Sequence, residues 1–185
     1  MDRLKEITQL IDGFTAHSDR IIIAIDGKCT SGKTTLASQL AGIYDCNVFH
    51  MDDFFLRPEQ RTPERFAETG GNVDYERFKE EVLIPLLSGE AFSYQPFDCK
   101  TLTLSEPVMV KPKKLAVIEG SYSMHPYFGM PYDLKILLTV DDDTQRQRIQ
   151  KRPAFLQERF FTQWIPMENA YLEGFHITEK ADIII

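Results

Sequence analysis

The chain has 185 residues, 43% of them hydrophobic, with 28 acidic against 21 basic side chains and a formal charge of −7. This length supports one well-buried domain and is short for two, and the acidic balance excludes nucleic acid or an anionic membrane as the main partner. No apolar run approaches the roughly 20 residues that span a bilayer, Met1-Asp2-Arg3-Leu4-Lys5-Glu6 lacks the apolar stretch of a secretion signal, and Cys29, Cys46 and Cys99 are odd in number without metal-ligand spacing, so a cytoplasmic protein with reduced thiols is expected.

Leu4, Ile7, Leu10, Ile11 and Phe14 recur at helical spacing, which predicts an amphipathic helix within residues 1–17 that covers a sheet. Arg20 to Asp26 follows as an apolar, β-branched run and reads as a buried strand. Gly27-Lys28-Cys29-Thr30-Ser31-Gly32-Lys33-Thr34 then fits G-x-x-x-x-G-K-[ST], and Thr35 to Ala41 is helix-forming. Strand, glycine loop and helix in that order aim backbone N–H groups and the positive end of a helix dipole at one point, which suits a polyphosphate. The expected phosphate contacts run over Gly27, Cys29, Thr30, Ser31, Gly32, Lys33, Thr34 and Thr35, with Lys33 reaching the β and γ phosphates and the Thr34 hydroxyl on Mg²⁺. The plainer alternative is a glycine turn ahead of an ordinary helix. Cys29 sits where a thiol can acidify, although an inert side chain is the simpler reading.

Cys46 to Met51 reads as a second strand with Asp52 and Asp53 directly after it. At the carboxyl edge of a doubly wound sheet such residues can accept a proton or hold Mg²⁺; a turn with backbone-bonded aspartates is the alternative. Asp74 N-caps a helix with an apolar stripe at Tyr75, Phe78, Val82, Leu83 and Leu86, ending near Ser88-Gly89, with Pro85 kinking it or marking its last turn. Residues 91–112 form a small β-rich excursion. Lys114 to Glu119 gives a third strand that ends on an acidic residue able to organise Mg²⁺ through water, or merely solvated. Leu134 to Val140 gives a fourth. A helix from Asp143 to Arg152 places Arg148 and Arg152 on one face, where they either cross a phosphate or form a solvated basic surface, and a further helical stretch from Phe155 to Glu173 is interrupted at Pro166. Ala181 to Ile185 is a last strand, and a chain stopping there implies a few further native residues. Near-continuous apolar strands between helices predict an α/β, three-layer fold around a five-stranded parallel sheet.

A guanine-specific GTPase would carry [NT]-K-x-D after a late strand; Glu179-Lys180-Ala181-Asp182 has the wrong first residue and precedes its strand. The motifs Asp26 to Thr35, Met51-Asp52-Asp53-Phe54-Phe55, Gly71-Asn72-Val73-Asp74, Ile118-Glu119-Gly120 and Val140-Asp141-Asp142-Asp143-Thr144 instead resemble, in order, the uridine kinase and nicotinamide riboside kinase group of P-loop nucleoside kinases, from about residue 20 onward. The resemblance implies ATP and Mg²⁺ as cofactors. It makes Asp52 the base that activates a ribose 5′-hydroxyl and a neighbour of Mg²⁺, Phe54 an aromatic of the acceptor side, and Asp74 the holder of ribose hydroxyls. It also implies a Mg²⁺ role for Glu119 and a lid over residues 143–160 bearing Arg148 and Arg152. Phe97 stands where this family stacks on the base, but the histidine that accompanies it there is missing. The expectation is a kinase of a ribonucleoside such as uridine or cytidine. Nicotinamide riboside, pantothenate and a sugar phosphate are alternative acceptors, and a non-catalytic nucleotide-binding regulator is an alternative class. Tyr122, His125, Tyr127, Phe128 and Trp164 are expected mostly in packing. Self-association stays open.

Overall fold

The computed structural model describes residues 3–185, so Met1 and Asp2 of the expected N-terminal helix lie outside the described residues. Helix α1 (Arg3–Thr15) leads into β1 (Ile21–Gly27), and the glycine loop connects β1 to α2 (Lys33–Ile43) and then β2 (Cys46–His50). Because β1 is buried on both faces, its alternate residues serve two cores. Ile21, Ile23 and Ile25 pack with Ile7 and Ile11 of α1 and Leu36, Ala37 and Leu40 of α2. Ile22 and Ala24 face the opposite cluster of Phe49, Phe54, Phe78 and Tyr171.

After β2 come tight 3₁₀ turns at Met51–Phe54 and Pro58–Gln60, then α3 (Pro63–Ala67), α4 (Tyr75–Phe78) and α5 (Ile84–Ser88). The helix expected from Asp74 onward begins there and ends at Gly89 in the left-handed conformation. Between α4 and α5 the backbone widens into a π turn over Lys79–Leu83. Pro85 has no N–H and its ring crowds the carbonyl four residues back, and one wider turn relieves that clash while the helix continues. Pro166 repeats the device: α7 (Ala154–Arg159) passes through a π turn at Phe160–Trp164 into α8 (Ile165–Gly174).

The excursion at 91–112 consists of two short antiparallel ladders, β3 (Phe92–Tyr94) with β6 (Val108–Val110), and β4 (Phe97–Asp98) with β5 (Thr103–Leu104). The main sheet resumes with β7 (Leu115–Glu119) and β8 (Leu134–Leu138) and closes with β9 (Ile183–Ile184), preceded by α6 (Asp142–Ile149), α7, α8 and α9 (Ile177–Lys180). All five strands are parallel in the order β2-β7-β1-β8-β9. The register pairs His50 and Ile25 with Glu119, and Gly27 with Leu138, so the carboxyl ends of β1, β2 and β7 meet at one edge. Ligands of open α/β sheets bind at such edges.

The bounds of β8, β9 and α6 depart from the sequence reading. β8 stops at Leu138 and β9 shrinks to two residues, since pairing with β8 spans only Ile183 and Ile184. Helix α6 is capped by Asp141, whose carboxylate accepts from Thr144 N at 2.8 Å, and ends at Ile149. Arg152 therefore lies beyond the helix and does not share a helical face with Arg148. No helix among the described residues is long and apolar enough to cross a membrane.

Helix α1 is anchored by Ile7 and Ile11, both buried. Ile11→Ala should lower the unfolding free energy by about 2–5 kcal/mol, measured by urea denaturation. A loss below about 1 kcal/mol would mean that α1 is not integral to the core.

Candidate active site

The loop between β1 and α2 is shaped by two glycines, one irreplaceable for space and the other favoured by its backbone angle. Gly27 has φ +140° and a Cβ there would stand 2.0 Å from the Leu138 carbonyl oxygen, while Gly32, at φ +108°, opens α2. Between them Thr30 adopts φ +62°, a left-handed conformation in a non-glycine residue. The curl folds the Lys33 side chain back across the loop. Its ammonium donates to the carbonyls of Gly27 and Lys28, each at 2.8 Å, and lies 3.2 Å from Ser121 Oγ. These partners are neutral, and no carboxylate forms an ion pair with Lys33 among the described residues, so its charge stays available to an anion at the N-terminus of α2. The hydroxyls of Thr30 and Ser31 are buried there without a hydrogen-bond partner, a donor set that fits phosphate oxygens. Thr35 is exposed in the first turn of α2.

Later segments clamp the loop from outside. Glu168 of α8 accepts from Cys29 N at 2.8 Å and from the Ser121 hydroxyl at 2.7 Å. Gln145 of α6 donates to the Cys29 carbonyl at 3.1 Å, and Arg148 donates to the Thr30 carbonyl at 2.7 Å. Arg148 thus reaches the loop, whereas Arg152 makes no side-chain contact of this kind among the described residues. Burial and the Glu168 carboxylate push the Cys29 thiol up to about 12, which leaves it protonated and inert.

At the sheet edge Glu119 is buried, and its Oε1 accepts from Thr34 Oγ1 at 3.1 Å and meets His50 Nδ1 at 2.5 Å. That bond raises the His50 pKa, aided by the charges of Asp53 and Asp52 and opposed by burial. Asp52 and Asp53 sit in the Met51–Phe54 turn. The Asp52 carboxyl is raised by desolvation and by the Glu119 charge, with Lys33 and His50 acting the other way; Asp53 is raised by desolvation, tempered by His50, Arg77 and a hydrogen bond from Tyr94. Thr34, Glu119 and Asp52 are hard oxygen donors, the type Mg²⁺ prefers. Among the described residues no group of three or more His, Cys, Asp or Glu is spaced to hold a metal ion. This set therefore suits an ion that keeps most of its shell in water and phosphate oxygens, as Mg²⁺ does at phosphate sites.

The acceptor-side residues fare differently from the sequence reading. Asp74 is 2% exposed: one oxygen caps α4 through Arg77 N at 3.2 Å, and the other lies 3.5 Å from Arg77 Nε and 3.7 Å from Arg57 Nε. Its N-cap role is met, and its second oxygen is buried without a hydrogen-bond partner. Phe54 is wholly buried, 5.0 Å from the Phe78 ring and 5.6 Å from Tyr94, with the Arg77 guanidinium over it at 4.2 Å. It belongs to the core and not to a ligand surface. Phe97, 4% exposed, is likewise packed and not free to stack broadly on a base. Tyr122, His125 and Phe128 are buried as packing residues, Trp164 is half-buried, and Tyr127 is exposed.

Sequence reasoning missed the buried polar centre beneath the loop. Asp26 has no exposed surface and accepts four hydrogen bonds: from Gly27 N at 2.6 Å, Tyr122 N at 3.1 Å, Met124 N at 2.8 Å and the Tyr171 hydroxyl at 2.7 Å. Burial raises its pKa while these donors and Lys33 lower it. The one available signal was a charged residue ending an otherwise apolar strand. His50, Ser121 and Glu168 were missed too, because nothing local marks them.

No protein-family model and no curated protein matches the chain. Among solved structures it is similar to a possible uridine kinase from Bacillus stearothermophilus, with a TM-score of 0.70 and 23% identity over 97% of this chain and 99% of that one. It is similar to a candidate fructose transport system kinase from Silicibacter sp. TM1040, with a TM-score of 0.69 and 20% identity over 100% and 99%. It also matches D-glycerate 3-kinase from Cryptococcus neoformans var. grubii at 0.66 and 11% identity, over 94% and 90%. These likenesses establish the α/β phosphate-loop fold.

Asp26→Asn keeps the shape but turns acceptors into an amide N–H₂ that faces hydrogen-bond donors. It should cost about 3 kcal/mol, with the loss seen as a lower denaturation midpoint at an unchanged m-value. Wild-type stability in this variant would show that the four bonds do not hold an ionised carboxylate.

Proposed function

We propose that the protein is an ATP-dependent phosphotransferase that moves the γ-phosphoryl group to a hydroxyl of a small molecule. The observation that supports this most is the meeting, at one sheet edge, of a Lys33 ammonium with no carboxylate partner among the described residues, the Thr34–Glu119 oxygen pair and an exposed carboxylate, Asp52, whose charge interacts with both. The motif order and the fold are consistent with it. Bound Mg²⁺ and ATP would supply charge neutralisation at the transferred phosphate and a leaving group.

The chain's own residues divide the remaining tasks. Backbone N–H groups of the loop and Lys33 grip the phosphates and hold them in line. Thr34 and Glu119 present oxygens to the metal's shell. Asp52 accepts the proton of the acceptor hydroxyl as its oxygen bonds to phosphorus and the bond to the departing diphosphate breaks. Arg148, already at the Thr30 carbonyl of the loop, offsets charge developing on the transferring group. The motif resemblance favours the 5′-hydroxyl of a ribonucleoside as acceptor. Asp74 and Phe97, the two side chains named for that acceptor, are both packed away, so the nucleoside assignment rests on the motifs alone.

Asp52→Asn should leave ATP affinity near wild type and slow transfer by about 10²–10⁴-fold; turnover at the wild-type rate would remove Asp52 from the mechanism. Lys33→Ala should depress both ATP binding and turnover whatever the acceptor.

The proton acceptor must be ionised, and desolvation and Glu119 raise its pKa. Activity should therefore fall as pH drops through a value above the ordinary carboxylate range. A profile of kcat/KM against pH should show that acid limb in the wild type and lose it in Asp52→Asn. A limb that persists in the variant belongs to another group.

A further inference from the structure

An ammonium has three N–H donors, and Lys33 has a partner for each: Gly27 O and Lys28 O at 2.8 Å and Ser121 Oγ at 3.2 Å. The third contact is the longest, and its acceptor is a hydroxyl with a hydrogen bond of its own to make. Ser121 has one proton to give, and two acceptors lie within reach, Glu168 Oε1 at 2.7 Å and Gly27 O at 3.0 Å. A bond to a carboxylate is the stronger, so the proton goes to Glu168 and the Ser121 lone pairs face Lys33. Two hydrogen bonds in series then join an ammonium to a carboxylate.

Glu168 is 5% exposed, its other oxygen accepts from Cys29 N at 2.8 Å, and it forms no ion pair among the described residues. A buried carboxylate is expensive unless a counter-charge offsets it, and these two neutral donors leave its charge uncompensated. Asp26, beneath the loop, also feels the Lys33 charge, but it has four donors of its own, where Glu168 has two. A glutamine in place of Glu168 could hold α8 to the loop equally well. Its oxygen would accept from Cys29 N, its amide would donate to Ser121 Oγ, and the Ser121 proton would turn to Gly27 O. What glutamate adds to the contact is charge.

We infer that Glu168, relayed by Ser121, is the counter-ion of Lys33 in the nucleotide-free site, and that a polyphosphate binds in competition with it, so that Glu168 limits how tightly nucleotide is held. Phosphate oxygens that take the place of Ser121 on Lys33 leave a buried carboxylate beside a polyanion, and that repulsion is subtracted from the binding free energy. A loop, a helix N-terminus and a lysine grip the diphosphate of the product as they grip the triphosphate of the donor. A carboxylate set against that grip shortens the product's stay. This role presupposes the nucleotide site of the phosphotransferase reading above and adds to it a residue that opposes binding.

Glu168→Gln keeps the hydrogen bonds and removes the charge. Calorimetric titration with ADP should give a dissociation constant about fivefold or more below that of the wild type, with a urea midpoint near wild type. Ser121→Ala cuts the relay and leaves one N–H of Lys33 open to phosphate, so it should tighten ADP binding by a second route. A contact that only holds α8 against the loop gives the opposite result, because a loosened loop grips phosphate less well. ADP bound no more tightly than by the wild type, in either variant once folded, would overturn the counter-ion role; should Glu168→Gln fail to fold, Ser121→Ala decides alone. No ADP binding by the wild type would remove this role and the phosphotransferase reading together. Tightened ADP binding in the variants, with no ADP formed from MgATP by the wild type in the presence of uridine, nicotinamide riboside or pantothenate, would count against the phosphotransferase alone and leave the counter-ion in place.

Discussion

A carboxylate sealed from water, Asp26, is the constraint around which the site is assembled. Placing an ionised group in a core is expensive unless each lone pair finds a donor, and here four donors from three regions meet it. Gly27 N fixes where the phosphate loop begins. Tyr122 N and Met124 N fix the segment that follows Glu119, and Tyr171 ties down α8. Moving any of these elements would strand either the carboxylate or its donors, so their positions are coupled. Tyr122 adopts φ +75° in this arrangement, a cost of the kind that persists only where neighbours over-determine the backbone.

The same α8 also carries Glu168, three residues before Tyr171 and therefore on the same face. One residue grips the loop at Cys29 N and the other bonds the carboxylate beneath it. The start of α8 is set by the π turn ahead of Pro166, so a local steric rule about proline fixes which residues of that helix face the site. The arginine-bearing α6 joins the same structure, because Gln145 and Arg148 reach the loop carbonyls.

What could be read from sequence and what could not follows from the range of the interactions. The glycine loop, its strand and its helix were legible because the motif is contiguous and its chemistry is mostly backbone. Strands β1, β2 and β7 were legible because burial on both faces writes them as unbroken apolar runs. The end of α6 was read too late: Pro153 disfavours helical backbone at Arg152, but nothing in Gln150-Lys151 forbids a further turn. Asp26 reaches Tyr171 across 145 residues and Ser121 reaches Glu168 across 47, and no local pattern encodes such pairs. Phe54 and Phe97 misled for a related reason: an aromatic residue beside an acidic turn has one appearance in sequence whether it faces a ligand or the core.

Three carboxylates crowd the edge of the sheet, and their surroundings separate their tasks. Glu119 already accepts from Thr34 and meets His50, so it is held in place and suited to orient ligands, not to take up a proton. Asp53 is half-buried and lies in the field of Arg77, and its backbone carbonyl anchors that arginine. Asp52 accepts no hydrogen bond among the described residues and stays exposed, yet the negative charge of Glu119 and partial desolvation increase its affinity for a proton. A base needs both an unoccupied oxygen and a raised proton affinity. Asp52 combines them and is the most exposed of the three, so an acceptor hydroxyl can reach it.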